Sequence, residues 1–535
     1  MGDCLPRVAD FGRAGEPLLE LKSEELISLP PPCSTLGPPL SGVNPDRRKA
    51  LETSLDGYCA LALARPSSPE DERHLVEKFL DGLRKLLSQD GNWAFWQPLQ
   101  LSLDNCTRCQ TCADACHVYQ ASGRQEIYRP AYRSEVLRAI IRKYLRPGGR
   151  VRAKLVGADL ELNWTVVARL AESAYRCNLC RRCAQACPIG VDNALITHDL
   201  RKLFSMEMGI APKEIHQSGS VQQLRTGSST GMTPAGFLDT IRFLEEEVEE
   251  KTGMKFRWPV DREGADILLI HNAGEFLAWP ENPEAFAVLF EKAGVNYTLS
   301  SDLMGYDAVN YGLWYDDVQF ARVALRQAEV AKRLKVKKIV IGECGHAHKA
   351  LSVIADRILL GEHAVPRESC LTLLDALVRG GKLKLDPSRN DFPVTLHDPC
   401  NIVRLMGIVE PQRRILRKIA PRFREMEPHG VDNYCCGGGS GFAIMNGLNF
   451  GEWRSAVAGR MKLKQILSAF NREELESQVP KFVCAPCSNC KGQIRGLLEY
   501  YPEAAKANIR YTGLVELIAN GLAELPRPYI EIEPP

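Results

Sequence analysis

The apolar positions along this chain change period. In "HLVEKFLDGLRKLL" they recur at helical spacing, placing Leu75, Val76, Phe79, Leu80, Leu83, Leu86 and Leu87 on one face. Two more helical segments, "SEVLRAIIRKYL" and "WTVVARLAESAY", lie between residues 101 and 215 and separate two cysteine clusters. From about residue 263 the pattern shortens to strand-length runs followed by helical stretches. "ADILLIHNAG", "KKIVIGECGHAHK", "FPVTLHDPC" and "KFVCAPCSNCK" each read as an apolar strand running into a polar or cysteine-bearing loop. In α/β architectures sites form at the carboxyl ends of strands, so these loops are where function is expected.

The strand segments also repeat. "LLIHNAGEF" (268–276) aligns with "VTLHDPCNI" (394–402), setting His271 on His397 and Gly274 on Cys400. "KIVIGECGHA" (338–347) aligns with "KFVCAPCSNC" (481–490), setting Ile341 on Cys484, Cys344 on Cys487 and Ala347 on Cys490. Residues 263–535 therefore read as two related halves, of which the first has lost nearly all its cysteines. The expected division is an N-terminal extension over 1–100, partly irregular because of "SLPPPCSTLGPPLSGVNP"; a helical, cysteine-bearing domain over 101–215; a linker over 216–262 that includes the polar "TGSSTGMTPAG"; and α/β half-domains over 263–388 and 389–535.

Composition narrows the function classes. The 535 residues allow several well-buried cores. Lys+Arg number 68 against 66 Asp+Glu, which offers no basic face for nucleic acid. No run of about 18 apolar residues is present, so no membrane span is expected. The start "MGDCLPRVADFGRAGEP" lacks the basic and apolar regions of a secretory signal, and Pro6 stands where myristoylation wants Ser or Thr. Nineteen cysteines, mostly clustered at metal-ligand spacing, point to a metalloprotein of a reducing compartment rather than a disulfide framework.

Two clusters carry the same spacing, C-x2-C-x2-C-x3-C. They are Cys106, Cys109, Cys112, Cys116 and Cys177, Cys180, Cys183, Cys187, the second followed by Pro188 and the first by His117. This is the run in which three close thiolates hold one 4Fe–4S cluster and the fourth ligates the other. Cys106, Cys109, Cys112 and Cys187 are expected on cluster 1, with Cys177, Cys180, Cys183 and Cys116 on cluster 2. Zinc is the alternative, but zinc sites pair C-x2-C units that lie far apart. The long helical gap between the motifs suggests an α-helical ferredoxin arrangement.

The second half adds Cys400 in "HDPCN", the vicinal pair Cys435–Cys436 in "NYCCGGGSGF", and Cys484, Cys487 and Cys490 in "CAPCSNC". Two C-x2-C readings overlap there. The repeat aligns Cys484 with a strand position, as a small core hydrophobe, and Cys487 and Cys490 with loop positions, as ligands. A strained vicinal disulfide at Cys435–Cys436 is the competing reading. Otherwise both thiolates serve one large cluster, with Gly437, Gly438 and Gly439 letting backbone N–H groups approach sulfur.

The order C…CCG…CxxC, behind two ferredoxin motifs, resembles the CCG-domain family of the heterodisulfide reductases, and their D subunit in particular. "NYCCGGGSGFAIM", "LHDPCNIVRLMGIV", "CAPCSNCKGQIR", "RCNLCRRCAQACPIGVDNAL", "GSSTGMTP" and "IGECGHAHKAL" are similar, more narrowly, to the DsrK-type iron–sulfur subunits of DsrMKJOP membrane complexes. The resemblance runs from about residue 100 onward. It implies a multidomain α + α/β fold, with an α-helical ferredoxin-like domain followed by two tandem CCG-type half-domains, the first degenerate. It implies two cubane 4Fe–4S clusters and a noncubane, catalytic 4Fe–4S cluster on Cys400, Cys435, Cys436, Cys487 and Cys490. It further implies a cytoplasmic place on the inner membrane face, docking on a haem-b quinone-binding (DsrM-like) membrane subunit, and the sulfur carrier protein DsrC as disulfide or trisulfide substrate. Tmc- or Hmc-type complexes, the iron–sulfur subunits of lactate, glycolate or glycerol-phosphate dehydrogenases, and a purely electron-conducting role are the rivals. A proton donor is needed; His397 beside Cys400 is one candidate, and His271, His346, His348, Glu343 and Cys344 of the degenerate half are others.

Overall fold

The computed structural model describes residues 8–12, 21–31, 42–43, 47–48, 61, 63–155, 159–447 and 449–532. Most of the proline-rich part of the extension lies outside the described residues. The parts of the extension that are described lie on the core: Phe11 is buried against Tyr132, and the Phe11 carbonyl accepts from Arg169 at 2.6 Å.

Helix Pro69–Leu86 follows from its sequence. Ser68 caps it by accepting from the Asp71 N–H, Pro69 sits at the first turn, Glu70, Asp71 and Glu72 face the positive end, and Arg84 and Lys85 face the negative end. Its apolar stripe buries Phe79, Leu83 and Leu86. Helix Trp164–Tyr175, capped by Asn163, is buried along its whole length and packs on it. The segment expected as a linker instead carries helix Pro234–Thr252, begun by Thr233 and Pro234 and ended by Gly253 at φ 70°. Phe237, Ile241, Leu244 and Val248 at helical spacing give it an apolar face, which the polar flanks had masked.

Beyond it the chain builds two small parallel sheets. The first contains β1 (Ile267–Ile270), β2 (Tyr297–Thr298), β3 (Lys338–Ile341) and β4 (Arg367–Ser369); the second contains β5 (Val394–Leu396), β6 (Phe423–Arg424), β7 (Lys481–Cys484) and β8 (Ile509–Thr512). Their orders, β2-β1-β3-β4 and β6-β5-β7-β8, are the same topology twice. The strands are short and buried, as parallel strands covered by helices must be. In each sheet the direction of winding reverses between the two middle strands. The carboxyl ends of the strands at such a reversal are the preferred place for a site in sheets of this kind. In the second sheet the segments leaving β5 and β7 at this reversal carry Cys400, Cys487 and Cys490.

Candidate iron–sulfur and thiol site

The two ferredoxin-type motifs share an unusual backbone. Arg108 and Gln110 in the first, and Leu179 and Arg181 in the second, stand at equivalent positions with φ of 60°, 69°, 49° and 62°. None is glycine, so each left-handed residue costs about 1 kcal/mol or more and marks a functional turn. The alternation points N–H groups inward, as in an anion nest; Leu179 N–H donates to the Cys177 sulfur at 3.4 Å. Short helices Thr111–Ala115 and Arg182–Gln185 pack on each other and bring the motifs together. Cys116, Cys177, Cys180 and Cys183 then line one small cavity with His117 and Asn178. This is the crossed set expected for cluster 2. Burial and neighbouring thiols push Cys116 up to about 12 and Cys183 upward as well. So many thiols become thiolates together only around a cation, and a soft, all-sulfur donor set of this shape suits an iron–sulfur cluster. Cys112 neighbours Cys106 and Cys109, and Cys109 is exposed. The Cys187 sulfur accepts from Val191 N–H at 3.3 Å.

In the second sheet the five expected thiols form a continuous chain. Cys435 contacts Cys400 and Cys436; the Cys436 thiol donates to the Cys490 sulfur at 3.4 Å; Cys490 contacts Cys487. All are reduced, so no vicinal disulfide is present at Cys435–Cys436. Gly437 N–H donates to Cys435 and Gly438 N–H to Cys436, each at 3.4 Å. Gly437 has φ 90°, and a Cβ there would stand 2.6 Å from the Ala458 backbone, so glycine is required on both counts. Cys484 ends β7 and points to the opposite face of the sheet. It packs in the core with Phe482, Leu514 and Val515 while Val483 packs on the other side.

Asp398 braces this chain of thiols. Its carboxylate takes both Arg413 guanidinium nitrogens at 2.9 and 2.7 Å and the Gly430 N–H at 2.7 Å, while its carbonyl accepts from Asn433 Nδ2 at 2.7 Å. The loop bearing Cys400 is thereby tied to the turn that leads into Cys435.

Two buried basic groups face the thiols. The Lys462 ammonium is wholly buried and donates to Asn433 Oδ1 at 2.6 Å. No carboxylate lies within 4 Å of it among the described residues, and burial drives it down to about 7. A buried cation needs a counter-charge; Asp398, itself paired with Arg413, acts on it from a distance, and the nearby Cys436, Cys435 and Cys490 add to this only as thiolates. His397, also wholly buried, lies beside Cys436, its ring nitrogen within 4.8 Å of the Cys436 and Cys490 sulfurs. Neither ring nitrogen has a hydrogen-bond partner within normal geometry. Burial and the Lys462 charge hold its pKa below the usual imidazole value. An orphaned imidazole and a buried ammonium without a direct ion pair, both beside these thiols, fit an anionic metal–thiolate group.

The second ferredoxin-type motif docks directly on this site. Cys180 contacts Cys435, and His117 Nδ1 stands 3.8 Å from the Cys180 sulfur. Asn178, bonded to His117 Nε2 at 3.0 Å, donates to the Gly437 carbonyl at 2.9 Å. Arg404 clamps the junction, donating to the carbonyls of Val431, Cys180 and Asn433. His117, which replaces the usual proline, was the signal for this contact in the sequence. Lys462 had a weaker one, a lysine within the apolar helix Arg460–Ala469.

The first sheet also reaches the site, through Cys344 and Gly345. Cys344 lies beside Cys487, and Gly345 N–H donates to the Cys487 sulfur at 3.2 Å. The other candidates from this half are engaged by neighbours other than the five thiols. His271 bonds Glu275 at 3.2 Å and sits edge-on to Phe276 and Phe286. His346 is bonded to the Asn310 backbone between Tyr311 and Trp314. His348 bonds the Cys344 carbonyl and Ser369. Burial holds His346 and His348 down at about 4. The Glu343 carboxylate, raised by burial to about 8, is taken by Asn282 and Val515. These groups hold the loops of the first sheet in shape, a role that residue type alone does not separate from catalysis.

Comparison with known proteins matches both cysteine-bearing segments. Residues 102–191 match the "4Fe-4S dicluster domain" family and residues 394–495 the CCG "Cysteine-rich domain" family. The chain is 28% identical over 486 residues, 83% of each chain, to the "Hdr-like menaquinol oxidoreductase iron-sulfur subunit 2" of Archaeoglobus fulgidus. It is 26% identical over 492 residues, 85% of this chain and 84% of the relative, to the corresponding iron–sulfur subunit of Archaeoglobus profundus. Over 351 residues, 64% of this chain and 79% of the relative, it is 26% identical to the D subunit of the "Dihydromethanophenazine:CoB--CoM heterodisulfide reductase" of Methanosarcina acetivorans. With its dicluster segment, its CCG domain and its redox relatives, the chain is a 4Fe–4S-binding, CCG-domain protein similar to the heterodisulfide reductase D-like iron–sulfur subunits.

Proposed function

We propose that this chain is the catalytic iron–sulfur subunit of a membrane-bound, quinone-linked complex, and that it reduces, or in reverse oxidises, a disulfide or trisulfide of a DsrC-type sulfur carrier protein. Cys106, Cys109, Cys112 and Cys187 would hold one cubane and Cys116, Cys177, Cys180 and Cys183 a second. Cys400, Cys435, Cys436, Cys487 and Cys490 would hold a noncubane cluster. The single observation that carries this reading is the contact between Cys180 and Cys435, which joins the crossed ferredoxin thiols to the five-thiol chain. The names of the relatives supply the two chemical ends, a menaquinol and a heterodisulfide. No helix among the described residues is long and apolar enough to cross a membrane. A haem-b, quinone-binding partner subunit on the cytoplasmic face would then provide the anchorage.

When bound, such clusters supply electrons one at a time to a bond whose reduction takes two electrons and two protons. The residues around the thiols manage charge and protons. His397, held neutral, keeps one N–H and one lone pair beside Cys436, the state a proton donor and acceptor requires. Lys462 places a buried base where negative charge accumulates, and that charge draws it to the protonated, cationic form. Gly437 and Gly438 N–H groups stabilise the same sulfurs.

The direct test is reduction of a DsrC-type disulfide or trisulfide by the purified, cluster-loaded chain with an artificial one-electron donor. Turnover supports the reading; electron uptake without turnover would leave a conduit. Lys462→Met should lower the midpoint potential of the third cluster. Removing one buried unit charge at an effective dielectric of about 20 is worth about 2 kcal/mol, or on the order of 100 mV. A redox titration followed by electron paramagnetic resonance reads this shift, and an unmoved potential with the cluster retained would remove Lys462 from the electrostatic role.

A further inference from the structure

Four of the five thiols are buried, and only Cys400 is half-exposed. Approach to the five-thiol chain is therefore from its side. A cavity of about 350 Å³ lies between the second ferredoxin-type motif, the helix before the first motif and the first sheet's half; none of the five thiols lines it, and Leu405, just after the Cys400 turn, and Lys349 are the walls that link it to Cys400. Leu179, Arg181, Ile189, Lys349, Arg357 and Leu405 are among its walls, and Ile189, 45% exposed, stands at its mouth.

Lys349 gives the cavity its character. It follows the short helix Gly345–His348, which packs on the turn Cys400–Val403. The residue is only 7% exposed, its ammonium lies 4.6 Å from the centre of the Trp314 ring, and it is within electrostatic reach of Cys400. Among the described residues it has neither an ion-pair partner nor a hydrogen-bond acceptor. The carboxylate that acts on it, Asp192, is spent: one oxygen pairs with Arg181 at 2.7 Å and the other caps helix Asn193–Lys202. Arg357 at the same cavity is paired with no carboxylate among the described residues either and lies over Phe95. A buried, unpaired ammonium at an open cavity is a costly arrangement that an incoming anion relieves.

We propose that this cavity receives the sulfur substrate, and that Lys349 binds a carboxylate carried close to the reacting disulfide. This rests on the disulfide chemistry proposed above and adds to it a substrate class, an acidic disulfide. The cysteine-poor half then contributes the recognition group, while the other half contributes the thiols. The carboxylate belongs either to a small thiol or to an acidic residue beside a cysteine in a polypeptide.

The test is equilibrium binding to the cluster-loaded chain, measured by titration calorimetry with no electron donor present. One pair of probes is 3,3′-dithiodipropionate and the uncharged 2-hydroxyethyl disulfide. The other is the disulfide dimers of the peptides Gly-Cys-Asp-Gly and Gly-Cys-Asn-Gly, with blocked termini. The charged member of at least one pair should bind about 10- to 100-fold more tightly, the worth of a charge-assisted contact. Which pair discriminates identifies the source of the carboxylate. Lys349→Met should abolish this ratio and Lys349→Arg should restore most of it. Equal affinity for both members of both pairs overturns the proposal, as does a Lys349→Met variant that weakens charged and uncharged probes alike. Failure to reduce any disulfide, with the binding ratio intact, would instead count against the proposed reaction.

Discussion

Cys435→Ser is expected to remove the third cluster and leave the other two. Three 4Fe–4S clusters correspond to about 12 iron atoms per chain, and the variant should hold about 8. Cys435 is fully buried and is the one thiol of its chain that contacts Cys400, Cys436 and, across the junction, Cys180. A serine oxygen is a harder and shorter donor, and here it must also give up its proton in a buried site. Neither Cys106, Cys109 and Cys112 nor the cavity lined by Cys116, Cys177, Cys180 and Cys183 is built on Cys435, so both cubane signals should persist. The signal of the second should change shape, because its neighbour through Cys180 has gone. Iron analysis and electron paramagnetic resonance with and without substrate read all three. If about 12 iron atoms and the substrate-dependent signal both survive, the five-thiol site is not the catalytic centre.

The second large effect is structural. Asp398→Ala should cost about 3–5 kcal/mol of stability, because it strands Arg413, 2% exposed, without its bidentate partner. Glu425 also bonds Arg413 and softens the loss, but it cannot replace the bond to Gly430 N–H. Asp398→Asn keeps the size and one acceptor oxygen and should cost clearly less. Denaturant unfolding of the two variants separates charge from shape. Since Asp398 ties the Cys400 loop to the turn before Cys435, the alanine variant should also load less iron at the third site while retaining the cubanes. A cost below about 1 kcal/mol would mean that Arg413 finds water or another acceptor.

Much of the site was legible because cysteine ligands leave a spacing signature. The repeated C-x2-C-x2-C-x3-C run encodes its own crossing, and the structure indeed gathers Cys116 with Cys177, Cys180 and Cys183. The internal repeat separated Cys484 from Cys487 and Cys490 because strand positions alternate faces while loop positions converge. The histidines were not legible in this way. His397 and His271 align, and both follow a strand, yet one stands bare beside sulfur and the other is held by Glu275 among aromatic rings. Helix Pro234–Thr252 was obscured by the Gly, Ser and Thr residues before it, which are themselves its turn and cap.

What the sequence determined alone was the inventory: which thiols could ligate, in which sets, on two copies of one α/β unit with one copy poor in cysteine. Spacing and periodicity are local, and ligand runs and strand–loop alternation are local properties. Only the tertiary structure decided which groups share a space. Cys180 meeting Cys435, Lys462 buried beside three thiols, and Lys349 from the cysteine-poor half within electrostatic reach of Cys400 join residues far apart in the chain. Such meetings are set by how helices and sheets pack to bury their apolar faces, and no short-range pattern records the outcome.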